Sequence, residues 1–137
     1  MKKMAVLMNH NLSEDQKAEA LQKLGVSEFV SAPQEVARLW CSADPTVAVE
    51  ELGVERVIQW LDSTTGQDDW VLVQGDYGLT FAVVHWCLEN GRVPVYATTR
   101  RKVVETVVGG ETLTNRVFCH VMFRRYIDSS LFQGGRV

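Results

Sequence analysis

Residues Trp70 to Gly91, WVLVQGDYGLTFAVVHWCLENG, constrain the fold more than any other stretch of the chain. Val71-Leu72-Val73 is a short continuous apolar run, as a strand buried on both faces requires. It breaks at Gln74-Gly75-Asp76-Tyr77-Gly78, and the apolar residues that follow run for the length of a helix and end at Asn90-Gly91, a C-cap signal. Strand, glycine turn and helix in that order place polar residues at the carboxyl end of a parallel sheet, where open α/β folds hold their ligands. A tight turn with a helix N-cap explains the same five residues without any ligand.

Earlier in the chain, Met4 to Asn9 reads as a first strand, apolar enough to be central. Ser13 and Gln16 form a capping box, opening a helix with Ala18, Leu21 and Leu24 on one face and a stop at Gly25. Glu28 to Ser31 is a short second strand, and Pro33 suits the first turn of a helix carrying Val36, Ala37, Leu39 and Trp40. After Asp44-Pro45 a longer helix reaches about Ser63, with Val54, Val57, Ile58 and Leu61 as its buried stripe. Val93 to Thr98 is a further strand, with Pro94 near its start.

The β-α-β-α-α-β-α-β order predicts a mainly parallel sheet flanked by helices on both faces. The end of the chain differs. Lys102 to Val108 and Leu113 to Phe123 are two strand-like segments joined by Gly109-Gly110-Glu111, a hairpin signal for an antiparallel extension. Val117, Cys119, Val121 and Phe123 are expected on one face of the last strand. The reading is one domain over residues 1–126 and a flexible tail over 127–137.

Three strands thus end in polar segments: Asn9-His10-Asn11, Gln74 to Gly78, and Thr98-Thr99-Arg100-Arg101-Lys102. A parallel sheet would gather all three on one edge. Gly75 and Gly78 allow close backbone approach to a ligand, and a helix N-terminus offers N–H groups to a phosphate. Arg100 and Arg101 suit bidentate recognition of phosphate oxygens, and the Thr98 and Thr99 hydroxyls suit phosphate or ribose. The set describes a nucleotide or phosphodiester site that uses no metal and no cofactor. QGDYG is neither a dinucleotide fingerprint nor a P-loop, which disfavours dinucleotide cofactors and ATP hydrolysis.

His10 is the candidate for proton transfer, with capping of the first helix as its plainer alternative. Asp76 could orient a ribose hydroxyl or a basic side chain. His85, inside an apolar helix, and His120, alternating with core positions, are expected to be structural.

Charge supports a local anion site. Residues 1–91 hold six Lys/Arg against fourteen Asp/Glu, while residues 92–137 hold eight against three, within a net charge of −3. This is not the distribution of a long nucleic-acid surface. Cys41, Cys87 and Cys119 make no metal spacing and are expected to be buried thiols of a cytoplasmic protein. No charge-free apolar run approaches the ~20 residues of a membrane span.

The segments VLMNHNLSEDQ, WVLVQGDYG, ENGRVPVYATTRR and RVFCHVMFRRY, in collinear order from Met4 to Tyr126, resemble the small CRISPR-associated family known as Csx-twenty. That resemblance implies a stand-alone relative of the CARF (Rossmann-like) domains that bind cyclic oligoadenylates in type III CRISPR immunity. The implied activity is a ring nuclease that cuts cyclic tetra-adenylate without a metal, through attack of a ribose 2′-hydroxyl on the adjacent phosphate. It also implies a pocket lined by the residues after the first strand, by Gln74, Gly75, Asp76, Tyr77 and Gly78, and by Thr98 to Arg101. His10, Asp76, Arg100 and Arg101 are then the candidate catalytic residues, and Asn9, Asn11, Gln74, Gly75, Tyr77, Gly78, Thr98 and Thr99 the candidate ligand contacts.

A two-fold ring too large for one sheet edge suits a homodimer, with the helix Thr80–Leu88 and the basic final strands as candidate interface elements. Two other readings use the same residues: a non-catalytic sensor or sponge for a cyclic nucleotide, and an interaction subunit whose basic third docks on an acidic partner.

Overall fold

The computed structural model describes residues 2–130. In chain order it forms β1 (Lys2–Leu7), α1 (Glu14–Lys23), β2 (Val26–Ser31), α2 (Gln34–Cys41), a 3-10 turn (Val49–Glu51), α3 (Val54–Thr64), β3 (Trp70–Val73), α4 (Tyr77–Glu89), β4 (Val93–Val108) and β5 (Glu111–Arg125). One sheet holds the five strands in the order β2-β1-β3-β4-β5. β1 pairs in parallel with β2 and β3, and β3 in parallel with β4, while β4 and β5 are antiparallel. The mainly parallel α/β sheet with a terminal hairpin is therefore as the sequence indicates.

β1 and β3 sit at the centre because their residues are apolar on both faces. Met4, Ala5, Leu7 and Val71 to Val73 are at most 1% exposed. Alternation sends Met4 and Leu72 to the side that α1 covers with Ala20. It sends Ala5, Leu7, Val71 and Val73 to the opposite side, against Trp40 of α2, Val57 and Leu61 of α3, and Leu79 and Val83 of α4. One helix thus covers one face and three cover the other. Each Val- or Leu-sized side chain buried this way contributes about 1.5–3 kcal/mol.

α1 starts where the capping box places it: the Gln16 N–H donates to Ser13 Oγ at 3.2 Å, and the Ser13 N–H donates to Gln16 Oε1 at 2.9 Å. Its buried stripe is Gln16 and Ala20, however, and Leu21 points to solvent. The single helix expected after Pro45 is interrupted. A 3-10 turn ends at Glu51, and α3 starts only after Gly53, whose φ of 83° is left-handed and incompatible with a continuous helix.

The largest correction concerns residues 98–102. They are not a loop: β4 runs unbroken from Val93 to Val108, paired along its length with β5. A polar run reads as a loop when a strand is assumed to be half-buried, but every residue from Thr99 to Phe118 is exposed, so no face need be apolar. The turn uses Gly109 and Gly110 at φ 60° and 86°, the pair of left-handed residues that a tight two-residue hairpin needs.

A bulge corrects the facing of β5. Thr98 pairs with Met122 and Thr99 with His120, leaving Val121 as the extra residue. Phe123 is buried on the α1 side, whereas Cys119 and Val117 stand opposite Arg100 and Lys102 on the other side. The four residues do not share a face. Of the cysteines only Cys87 is buried; Cys41 is exposed and Cys119 intermediate. The tail expected over 127–137 falls in part on residues 131–137, which lie outside the described residues.

Candidate functional site

The chain order makes the carboxyl edge of the sheet a place where the connections part. From β1 the chain passes through α1 outward to β2, then crosses back beyond β1 to form β3. In open α/β sheets the carboxyl ends of the strands at such a reversal form the ligand crevice. A cavity of about 590 Å³ opens at this edge, on the β1–β2 side. Val6, Met8, Phe29 and Ala37 give it apolar walls, and His10, Asn11, Ser31 and Lys17 bring polar groups. That volume lies within the range of small-molecule sites.

The polar groups arrive from separate elements. His10 and Asn11 follow β1, Ser31 ends β2, and Lys17 stands near the start of α1 just after the capping box. His10 Nδ1 lies 3.4 Å from the Asn11 carbonyl oxygen. A proton on Nδ1 donated to that carbonyl leaves Nε2 as the acceptor of an incoming proton. Lys17 Nζ lies 3.6 Å from Glu14 Oε1, with 44% of its side chain exposed, so it can swing toward an anion at little cost.

The Gln74–Gly78 turn leaves the same edge but does not line this cavity. Gln74 Oε1 accepts from the Ala97 N–H at 2.9 Å, and the Gln74 N–H donates to the Leu7 oxygen at 2.9 Å, so this residue joins three strands where their ladder ends. The Asp76 carboxylate accepts from the Leu79 N–H at 3.0 Å and caps α4. It occupies one of the N–H groups that would otherwise meet a phosphate, and adds a negative charge there. Gly75 is small because of Trp40. A Cβ at Gly75 would stand 2.7 Å from Trp40 Nε1, which donates to the Gln74 oxygen at 2.9 Å. At Gly78 a Cβ would meet Val49 Cγ2 at 3.1 Å, so this glycine serves packing against the 3-10 turn.

Tyr77 is 95% exposed, at the outer side of α4. Thr98 Oγ1 donates to the Met122 oxygen across the ribbon, and Asn9 and Thr99 are exposed. Arg100 and Arg101 lie on β4 beyond the body and do not line the cavity. Their side chains take opposite faces: Arg101 stacks on Phe118 at 5.2 Å on the α1 side, and Arg100 stands opposite Cys119 on the other. Of the expected contacts the cavity therefore collects His10 and Asn11. Lys17, Phe29 and Ser31 were missed, although the end of the second strand marks the same edge.

The remaining histidines differ from expectation in one case. His85 is not in the core: it stands on the outer side of α4, stacked on Phe81 with ring centroids 6.4 Å apart and 3.3 Å from Glu89 Oε1. His120 is buried, and its Nε2 meets the Glu19 carboxylate of α1, which also accepts the Phe123 N–H at 3.0 Å. Among the described residues, no three His, Cys, Asp or Glu side chains gather as a metal site would require. No helix among them is long and apolar enough to cross a membrane.

Comparison with known proteins places the chain in one family. A family model described as Uncharacterized protein MJ1673 family matches residues 2–124. A protein of Methanocaldococcus jannaschii, described as Uncharacterized protein MJ1673, is 33% identical over 126 residues, which cover 92% of this chain and 98% of that protein. No solved structure matches. With a match that spans all five strands and the cavity, the chain belongs to the MJ1673 family.

Proposed function

We propose that this protein is a ring nuclease that binds and cleaves cyclic oligoadenylate, specifically the tetra-adenylate, and so ends type III CRISPR signalling. The observation that carries the reading is the cavity at the carboxyl edge, with apolar walls for a base and His10, Asn11, Ser31 and Lys17 around it. The collinear resemblance from Met4 to Tyr126 supplies the substrate class. One such cavity suits a single nucleotide unit, so a ring of four would span two copies of the chain in a homodimer, matching ligand and protein symmetry.

In the proposed reaction a ribose 2′-oxygen attacks the neighbouring phosphorus and its proton passes to His10. The new 2′-oxygen–phosphorus bond closes a 2′,3′-cyclic phosphate, the bond to the 5′-oxygen breaks, and that oxygen takes up a proton. Lys17 takes the place expected for the arginines, beside the charge that develops on the phosphorane. Positioning of hydroxyl and phosphate supplies the rest of the rate.

The second reading, a sponge that binds without cutting, gains support from Asp76 and the arginines. Asp76 is committed to the cap of α4, and Arg100 and Arg101 lie outside the cavity, leaving fewer groups for catalysis. Incubation with cyclic tri-, tetra- and hexa-adenylate in EDTA, followed by chromatography, separates the two. Linear di-adenylate with a cyclic phosphate is the expected product. Loss of activity in EDTA that a divalent ion restores would contradict the mechanism, and tight binding with unchanged ring would establish the sponge.

A further inference from the structure

The ribbon of β4 and β5 leaves the body after Thr98 and extends about ten residue pairs into solvent, roughly 34 Å at strand rise. An isolated two-stranded hairpin is marginal in water. This one also carries apolar side chains on both faces. Val103, Val107 and Phe118 lie on one face at 59%, 70% and 64% exposure, and Val104, Val108 and Val117 on the other at 44%, 58% and 44%. Apolar side chains left this exposed along an arm of regular structure mark a surface that a partner covers.

A second surface matches it. α4 is apolar over most of its circumference, more than a helix with one solvent face needs, with His85 and Glu89 as the ionisable pair on its outer side. Its outer side nevertheless shows Tyr77 and Phe81, at 95% and 75% exposure. Next to them stands the 3-10 turn, whose Val49 approaches Gly78, and which presents exposed Glu50 and Glu51. Among the described residues those two carboxylates make no ion pair, nor do Arg100, Arg101, Lys102 and Arg116 of the arm. An apolar arm bearing unpaired cations and an aromatic helix face bearing unpaired carboxylates are complementary in shape class and in charge.

We propose that the arm docks on a second copy of this chain, against the outer side of α4 and the 3-10 turn, with the exchange repeated about a two-fold axis. Arg100 and Lys102 share the face of Val104 and Val108, so that face meets the partner's Glu50-Glu51 and Tyr77-Phe81 surface. The opposite face, with Val107 and Phe118, is covered where the two arms run side by side. The proposal deepens the homodimer of the proposed function by naming an interface for it, and these surfaces stand without any nucleotide.

Sedimentation equilibrium of the full chain tests this without reference to catalysis. The expected mass is twice the 15.4 kDa of one chain. Val108→Asp, Val107→Asp and Phe81→Asp should each weaken dimerisation at least tenfold with unchanged circular dichroism, because all three side chains are exposed within the protomer. Zero-length carbodiimide cross-linking of a mixture of ¹⁴N- and ¹⁵N-labelled protein should join Lys102 of one isotope to Glu50 or Glu51 of the other. A monomer or an open-ended series of masses overturns the proposal. So does a dimer indifferent to the three substitutions, or cross-links confined to single-isotope pairs. A ring nuclease that sediments as a monomer would refute the arm and leave the activity standing, whereas an inactive dimer would do the reverse.

Discussion

The body and the arm treat similar side chains in opposite ways. Leu72, Val73 and Leu79 of the body are wholly buried, while Val103, Val107 and Phe118 of the arm stay more than half exposed. Both regions hold apolar residues in regular structure, although the arm intersperses them with Arg100, Arg101, Lys102, Glu105 and Arg116. What differs is whether a helix of the same chain covers the sheet. The body has α1 on one face and α2 to α4 on the other; the arm has neither. Its one described tie to a helix is at its base, where the Glu19 carboxylate of α1 meets His120 and the Phe123 N–H.

Truncation should expose this contrast most strongly. Trp40→Ala removes a fully buried side chain and the hydrogen bond to the Gln74 oxygen, at a cost of about 3–5 kcal/mol. Val103→Ala in the arm should change the stability of the protomer by no more than about 0.5 kcal/mol. Urea titrations of both variants, made dilute enough to disfavour association, check the difference. A costly Val103→Ala under those conditions would mean that the arm is packed within its own chain.

The tie at the base should have an intermediate effect. Glu19→Ala leaves the Phe123 N–H and the buried His120 without their acceptor, which costs about 1–3 kcal/mol. Hydrogen exchange at Phe123 should accelerate far more than exchange in β1 and β3. Equal acceleration throughout would show that arm and body are one cooperative unit.

Asp76 provides a smaller test, directed at the candidate site. As the cap of α4, Asp76→Ala should lower stability by about 1 kcal/mol, and Asp76→Asn should restore most of it. If Asp76→Asn instead abolished cleavage while keeping stability, the carboxylate would belong to the chemistry and the cavity would extend to β3.

The smallest effect concerns the thiols. Burial pushes Cys87 up to about 12 from the ordinary 9, against a lowering influence from Arg92. A raised folded value means that this group's contribution to stability is complete below pH 9 and is lost as the pH climbs from 9 toward 12. At pH 8 a maleimide should therefore label exposed Cys41 quickly and Cys87 only after unfolding. Rapid labelling of Cys87 in the folded protein would contradict the packing of α4 on the sheet.

What could be read from the sequence follows the same division. Signals between near neighbours were legible: the Ser13–Gln16 capping box, the fully apolar strands at Met4 and Val71, and the Gly109–Gly110 turn. Features decided by distant pairings were not. Nothing local marks Val121 as a bulge, and one unmarked residue reverses the facing of Val117 and Cys119 relative to Phe123. Thr98 to Lys102 reads as a loop because a polar run ends a half-buried strand, and from Thr99 onward this strand is exposed on both faces. At the site, His10 and Asn11 were found because they follow a strand directly. Lys17, Phe29 and Ser31 were not, since only the pairing of β2 beside β1 and the placement of α1 bring them to one cavity.

The most direct test of the account is the stoichiometry of ring binding. Cyclic tetra-adenylate with 2′-deoxyribose lacks the attacking hydroxyl and cannot be cleaved by the proposed route, so calorimetric titration reads binding alone. The expected result is one ring for every two chains, weakened roughly ten- to hundredfold by Lys17→Ala, which removes a charge-assisted contact. Absence of binding, or one ring for each chain, would contradict it.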